Sequence, residues 1–446
     1  GRQGIEHLAM PIYNITLGVS PVLVGSVLGL VRFVDAITDP LAGWVSDNSI
    51  SRWGRRKPFM FSAAIICGLI FPLIWFVPAG WSEMAYAGYL LAALLIYFSA
   101  YSFFNIPLIA LAFEATPDYS ERTSVQAYKA FFVHSMGIIS GWLFAITQLN
   151  AFDGTMDGAR VAGLAVGATI IVVGLVPTLV VREGFREVAR KEVRTREKRI
   201  SFIKYIKLTL SNRPFLIICI IQICMGVGSA IVGSFGLYIL IYHVFAGDKL
   251  AAGVLYGTWH TAYQAATIVS IPLIAWSARK LGKITSLRMF LVLLALGSLS
   301  KWFVFTPSLP YLALLAVVAL GPAQTAYYML IRSIIADICD DDELTTGLRR
   351  EGAYGAMYSW IGKVDSSLGI FVAGVVLVWI GFDASRGDVQ DPNTIFFMRL
   401  AFSGFPMAGA ILALVALQFF PLTEDRCRQI RLELEARRGA PEESDS

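Results

Sequence analysis

Two carboxylates stand four residues apart within an apolar stretch of the sequence, at Asp35 and Asp39. At helical spacing both project from one face, and they repel each other unless a positive charge lies between them. Arg32, a bound Na⁺ or a proton would each supply that charge. Thr38 adds a hydroxyl oxygen, and an oxygen-only ligand set suits a hard cation. The pattern predicts a cation site, and a static Asp–Arg cluster that only packs the helices is the alternative.

A lysine stands in a second apolar stretch, at Lys363. A buried ammonium group needs a partner of opposite charge, and we expect that partner to be Asp35 or Asp39. The alternative is a side chain that extends to the membrane surface. Asp365 follows two residues later and therefore points elsewhere around the helix.

These charges lie in a chain that is too apolar to be a soluble domain. Of its 446 residues, 56% are hydrophobic and 15% are charged, and its mean hydropathy is +0.63. Soluble domains average about 25% charged residues. A helix of about 20 apolar residues crosses a bilayer core of roughly 30 Å, so the long apolar blocks predict an all-α membrane protein. Twelve transmembrane helices are predicted near 3–18, 21–46, 58–79, 84–114, 124–149, 158–182, 214–243, 252–279, 284–304, 308–337, 352–381 and 395–420.

The basic residues predict the orientation of these helices. Loops on one side are rich in Lys and Arg, whereas the opposite loops are short or carry mainly Asp and Glu. Basic loops stay in the cytoplasm, so both termini are predicted to be cytoplasmic, in a bacterial inner membrane. The net charge of +5 reflects this asymmetry and does not indicate nucleic-acid binding. The basic segments are 52–57, 182–213, 279–283, 349–350 and 426–438.

A long basic connection at 183–213 divides the predicted helices into two groups of six. The halves are 1–182 and 214–421, and a cytoplasmic tail follows at 422–446. Two six-helix halves around a site at the bilayer midplane are the architecture of major facilitator transporters. The sequence has no GxxxxGK[ST] loop for ATP, so we expect an ion gradient to supply the energy. It has no HExxH or GxSxG motif, so we do not expect an enzyme.

Two longer motifs contain these charges. The first is Asp35-Ala-Ile-Thr-Asp39-Pro-Leu-Ala-Gly43-Trp-Val-Ser-Asp47, followed by Ser51-Arg-Trp-Gly-Arg-Arg-Lys-Pro58. The second is Ile335-Ala-Asp337, Asp340-Asp-Asp-Glu343 and Thr346-Gly-Leu-Arg-Arg-Glu-Gly352, followed by Lys363. In this order they resemble the glycoside–pentoside–hexuronide:cation symporters, the melibiose permease family of the major facilitator superfamily.

The resemblance implies where the cation binds. It places the site at Asp35, Thr38 and Asp39, with Ser102 of the fourth span adding a hydroxyl. Asp35 and Asp39 would then be metal ligands if the protein is coupled to Na⁺. Lys363 matches the family's membrane-buried lysine close to that site. No cofactor is implied beyond a co-transported Na⁺ or H⁺.

The resemblance also bears on the solute. Two acidic residues bind sugar hydroxyls in the galactoside-transporting members, but here those positions fall on Asn105 and near Gln3. Amides lack the charge-assisted strength of carboxylates, so we expect a poor carrier of neutral galactosides. Arg32 and Lys129 favour an anionic solute such as a hexuronide or another acidic glycoside. The predicted solute contacts are Gln3, Arg32, Tyr101, Asn105, Lys129 and Lys363.

A third group of charges lies at the predicted cytoplasmic end of the second span. Asp47 faces the basic residues Arg55 and Arg56 across a short loop. We predict a charge lock between spans that gates the cytoplasmic side. The alternative is that these cations only orient the helices.

Together these features predict a cation-coupled symporter for a sugar, a glycoside or an acidic glycoside. The cation would neutralise Asp35 and Asp39 and so allow the loaded carrier to reorient. We expect a monomer whose partners are the solute and the lipid bilayer. The alternative is a sodium-dependent lysolipid carrier of the same fold, which would need a lateral apolar opening.

Overall fold

The computed structural model is built from α-helices, with no β-strand among the residues that it describes. Those residues are 2–49, 51, 53–54, 56–114, 119–180, 211–346, 350–387 and 389–438, without the side chains of 47–48, 110, 112–114, 119–131, 351–353, 385, 431, 435 and 437–438. The helices are α1 (Arg2–Met10), α2 (Pro21–Asn48), α3 (Lys57–Leu73), α4 (Glu83–Glu114), α5 (Tyr119–Thr147), α6 (Thr155–Val180), α7 (Arg213–Tyr238), α8 (Lys249–Leu281), α9 (Lys283–Val304), α10 (Leu315–Thr346), α11 (Glu351–Trp379), α12 (Pro392–Gln418) and α13 (Glu424–Arg438).

Most of these helices are long and apolar enough to cross a bilayer. Within the described residues, eight reach that length and hydropathy: α2, α4, α6, α7, α9, α10, α11 and α12. The helix α3 and the Phe132–Thr147 part of α5 are shorter apolar helices. The predicted all-α, multi-pass membrane class is therefore confirmed. Twelve spans, with α1 and α8 completing the set and both termini cytoplasmic, remain a prediction.

Two helix ends differ from the predicted boundaries. The helix α3 ends at Leu73 rather than near 79, and two tyrosine hydroxyl groups from elsewhere in the chain bind the carbonyls at its end. Tyr89 donates to the Leu73 carbonyl at 2.6 Å, and Tyr13 donates to the Ile74 carbonyl at 2.7 Å. The helix α10 continues past 337 to Thr346. The acidic run 340–343 therefore lies on a helix rather than in a loop.

The helices pack in two groups. In the first, α3 contacts α4 and α6, α2 contacts α4, and α1 contacts α5. In the second, α12 contacts α7 and α9, α10 contacts α8 and α9, and α11 contacts α7. The groups meet where α2 packs against α11 and α5 packs against α8. Residues on these four helices can therefore form a site between the groups.

Glycines bring the two groups together. A Cβ atom at Gly29 would lie 3.0 Å from the Ser367 carbonyl oxygen, and one at Gly374 would lie 2.6 Å from the Pro21 carbonyl oxygen. A Cβ atom at Gly253 of α8 would lie 2.9 Å from a backbone atom of α5. Small residues allow this close approach of helix backbones in membranes. Of these three backbone contacts the tightest joins Gly374, toward the end of α11, to Pro21 at the start of α2. We call this end of the two helices the closed side, and Gly282 and α13 lie on the other side.

A buried lysine supports the packing of α9 on α12. Pro406 has no N–H, so the Phe402 carbonyl one turn earlier loses its helical partner. The Lys301 ammonium donates a hydrogen bond to that carbonyl at 2.6 Å and lies 4.1 Å from the centre of the Phe402 ring. Lys301 is only 2% exposed. This lysine therefore has a structural role that its charge alone did not indicate.

Candidate cation and solute site

Lys363 of α11 lies between the two carboxylates of α2. Its ammonium contacts a carboxylate oxygen of Asp39, lies 3.7 Å from Asp35 Oδ2, and donates to the Asp35 carbonyl at 2.9 Å. One turn later, Ser367 donates to the Gly29 carbonyl at 2.6 Å, which fixes the spacing of the two helices. The pairing that the charges predicted is thus present in this structure. One ammonium group compensates two neighbouring carboxylates.

Two hydroxyl groups complete the surroundings of Asp35. Ser102 of α4 is fully buried and donates to Asp35 Oδ1 at 3.1 Å. Thr38 Oγ1 lies 3.3 Å from Ser102 Oγ and donates to the Asp35 carbonyl at 3.3 Å. The described residues contain no group of three or more Asp, Glu, His or Cys side chains suited to a metal ion. The carboxylate and hydroxyl oxygens together are ligands that suit a hard cation.

An alternating chain of charges extends from Asp35 toward α1. The Arg32 guanidinium is 4% exposed and has one nitrogen 3.9 Å from Asp35 Oδ2. Another of its nitrogens contacts the Glu6 carboxylate, and its carbon lies 4.5 Å from the centre of the Phe98 ring. Arg2 Nε lies 3.2 Å from the same Glu6 carboxylate. Each charge is therefore next to one of opposite sign.

Glu6 is a site residue that the sequence analysis missed. The sequence predicts Gln3 as the solute contact in the first span, and Glu6 lies one helical turn further on. The available signal was an acidic residue inside a predicted span, which is costly unless the residue has a function. The Gln3 side chain accepts a weak hydrogen bond of 3.4 Å from Ser140 of α5.

Two adjoining cavities lie beside these charges. The larger, of about 840 Å³, is lined by Arg32, Lys363 and Asp365 and extends to Gly355 near the start of α11. The smaller, of about 350 Å³, is lined by residues of α1, α5, α7, α8, α9, α10 and α12. Glu6 and four other residues line both cavities. Together they form a central cavity between the two groups of helices.

Aromatic and imidazole groups form the α8 wall of the smaller cavity. The Trp259 and Tyr263 rings stack with centres 5.3 Å apart and planes at 19°. The Trp259 indole N–H is buried and has no hydrogen-bond partner among the described residues. His7 of α1 bonds the Tyr256 hydroxyl at 2.9 Å, and its ring lies 4.6 Å from that of His260. An apolar sugar face could stack on this wall.

The other predicted residues are placed as follows. Gln3, Arg32 and Lys363 line the central cavity. Tyr101 and Asn105 of α4 are half-buried and lie outside the sets of residues that line it. Arg56 is buried at the start of α3. Lys129, Asp47 and Arg55 lie where the structure describes no side chain, so their predicted roles stay predictions.

Three related proteins indicate what this chain resembles. It is 25% identical to a glucuronide carrier protein homolog of Escherichia coli over 96% of this chain and 90% of that protein. It is 24% identical to the putative glycoside/cation symporter YagG of Escherichia coli, over 99% and 93%. It is 22% identical to the sodium-dependent lysophosphatidylcholine symporter 1 of Gallus gallus, over 96% and 85%.

The fold and a family model agree with these relatives. The structure superposes on a D-xylose-proton symporter with a TM-score of 0.64 at 15% identity, covering 95% of this chain and 94% of the other. That likeness shows the fold. The model of the MFS/sugar transport protein family matches residues 8–424. The chain belongs to this family of major facilitator transporters, as the motifs at Asp35 and Lys363 led us to expect.

Proposed function

We propose that this protein is a cation-coupled symporter that carries an acidic sugar or glycoside across a bacterial inner membrane by alternating access. The observation that carries the proposal is the position of the Lys363 ammonium between Asp35 and Asp39. A positive charge is stabilised there, so Na⁺ or H⁺ entering from the cavity would compete with the lysine for the same oxygens.

That competition offers a means of coupling. A cation bound to Asp35, Asp39, Thr38 and Ser102 would release the Lys363 ammonium, which lines the larger cavity. The freed charge would then favour an anionic solute beside it. Cation and solute would thus raise each other's affinity, as thermodynamic linkage requires.

The charges of the larger cavity favour an anionic solute. Its lining contains four cations and two acidic groups, Glu6 and Asp365. The cations are Arg2, Arg32, Arg332 and Lys363. Arginine binds a carboxylate through two parallel hydrogen bonds, so a hexuronide would find a suitable partner. The relative named as a glucuronide carrier homolog supports this class of solute.

The packing also supports an assignment of the side of the membrane to which the cavity opens. With α13 and the basic loops in the cytoplasm, residues 1–182 and 214–421 would form two six-helix halves that are closed toward the outside. The glycine contacts of α2 with α11 lie on that closed side. The larger cavity extends the other way, toward Arg2 and Gly355. The structure would then represent a state that faces the cytoplasm.

A ligand screen by thermal stability tests the proposal. The purified protein would be heated with glucuronides, neutral galactosides or lysophosphatidylcholine, each with and without Na⁺ and at two pH values. We expect a glucuronide to stabilise the protein and Na⁺ or acid to enhance the effect. Stabilisation by lysophosphatidylcholine alone would instead favour a lysolipid carrier, the alternative that the Gallus gallus relative supports.

A further inference from the structure

A second buried carboxylate lies on α11, outside the cation site. Asp365 is 3% exposed and faces α7, whereas Lys363 on the same helix faces α2. A Cβ atom at Gly226 of α7 would lie 2.4 Å from the Asp365 carboxyl carbon. The glycine therefore leaves a notch in α7 that the carboxyl group fills. The side chain also borders the larger cavity, so water can reach it when the cavity opens.

The notch supplies neutral hydrogen-bonding groups. Gln222, one turn before Gly226, donates from Nε2 to Asp365 Oδ2 at 2.5 Å. Its Oε1 accepts hydrogen bonds of 2.6 Å from both Tyr327 of α10 and Tyr358 of α11. Two phenol donors thus orient the amide so that its N–H points at the carboxyl group. The network joins α7, α10 and α11 at one point.

None of the cations that the structure describes compensates Asp365. Arg32 from α2, Arg332 from α10 and Lys363 from α11 line the same cavity, and α7 presents the neutral Gln222. Among the described residues, no ion pair within 4.0 Å involves the Asp365 carboxylate. Burial without a counter-ion favours the neutral acid over the carboxylate. Asp35 and Asp39 differ from Asp365 in this respect, because they share the Lys363 ammonium group as a counter-ion.

We propose that Asp365 is a proton-binding site, separate from the cation site at Asp35 and Asp39, that is loaded and unloaded during transport. The proton would come from water in the cavity, bind the carboxylate oxygen that Gln222 leaves free, and return to water when the cavity faces the other side. The protonated, neutral carboxyl group would keep α11 packed on α7 while the loaded carrier reorients, and loss of the proton afterwards would leave a charge in the notch that loosens this contact. This inference rests on the proposed transport function.

Infrared spectroscopy of the purified protein in lipid bilayers tests the proton directly. Near neutral pH the wild type should show a carboxylic-acid C=O band, and Asp365→Asn should lack it. The control variant Asp157→Asn, changed at the start of α6, should retain the band. Tyr358→Phe should keep the band but shift its frequency and its pH midpoint. An acid band that persists in Asp365→Asn, or one that Tyr358→Phe leaves unmoved, would overturn the proposal.

A transport assay provides a second test of the proposal. In proteoliposomes, Asp365→Asn should lose solute accumulation driven by a pH gradient at least tenfold and keep solute exchange at equal concentrations. Wild-type accumulation in this variant would refute the loading and unloading step. If no solute moves in any variant, the proposed function fails, and the infrared band still decides whether Asp365 holds a proton.

Discussion

Removing the Lys363 ammonium should strengthen cation binding and abolish coupled transport. Two unit charges 3.7 Å apart, as in Lys363 and Asp35, attract by about 4 kcal/mol at an effective dielectric constant of about 20. The pair that Lys363 forms with Asp39 is partly exposed, with side chains 18% and 24% accessible, so screening reduces its contribution. Removing the lysine removes its competition for these oxygens. If this makes cation binding more favourable by about 1.4 kcal/mol, the affinity for the cation rises tenfold.

The assay is thermal unfolding of Lys363→Met against Na⁺, Li⁺ and pH. Without a cation the variant should unfold earlier than wild type, because the carboxylates of α2 lose their shared partner. Added cation should restore its stability at roughly tenfold lower concentration than wild type requires. Lys363→Arg is the matched control, since it keeps the charge. Unchanged or weaker cation binding in Lys363→Met would refute the competition between lysine and cation.

Three further predictions concern the carboxylates of α2, the class of solute and Lys301. Asp35→Asn or Asp39→Asn should abolish cation-driven accumulation and leave solute exchange partly intact, and unchanged accumulation in both variants would contradict the cation site. Because the larger cavity is lined by more cations than carboxylates, the neutral sugar melibiose should bind weakly in calorimetry, and tight saturable binding would show this wrong. Lys301→Met should destabilise the protein by about 1–3 kcal/mol by leaving a buried carbonyl unsatisfied, and Lys301→Arg should recover part of the loss in thermal unfolding.

The charged part of the site could be predicted from the sequence because a charge in an apolar helix must have a partner. Asp35, Asp39 and Lys363 are such charges, and opposite sign sufficed to pair residues more than 300 positions apart. The motifs around them also gave the family and, through it, the fold.

The neutral network around Asp365 could not be predicted in this way. Glutamine and tyrosine are common in membrane helices, and Gln222, Tyr327 and Tyr358 meet only because of how α7, α10 and α11 are rotated. The role of Lys301 likewise depends on the adjacency of α9 and α12, although Pro406 alone implies a free carbonyl. The resemblance predicts Asn105 as a solute contact, and the position of Tyr101 on the fourth span predicts it as another, but both lie outside the residues that line the cavity.

The central claim is that a cation bound at Asp35 and Asp39 drives solute uptake. Its most direct test is uptake of a radiolabelled glucuronide into proteoliposomes under an imposed Na⁺ or pH gradient, with wild type and Asp35→Asn side by side. We predict that wild type concentrates the solute only when a cation gradient is present, and that Asp35→Asn merely equilibrates it. Wild-type accumulation that depends on neither gradient, or equal accumulation by the two proteins, would contradict this claim.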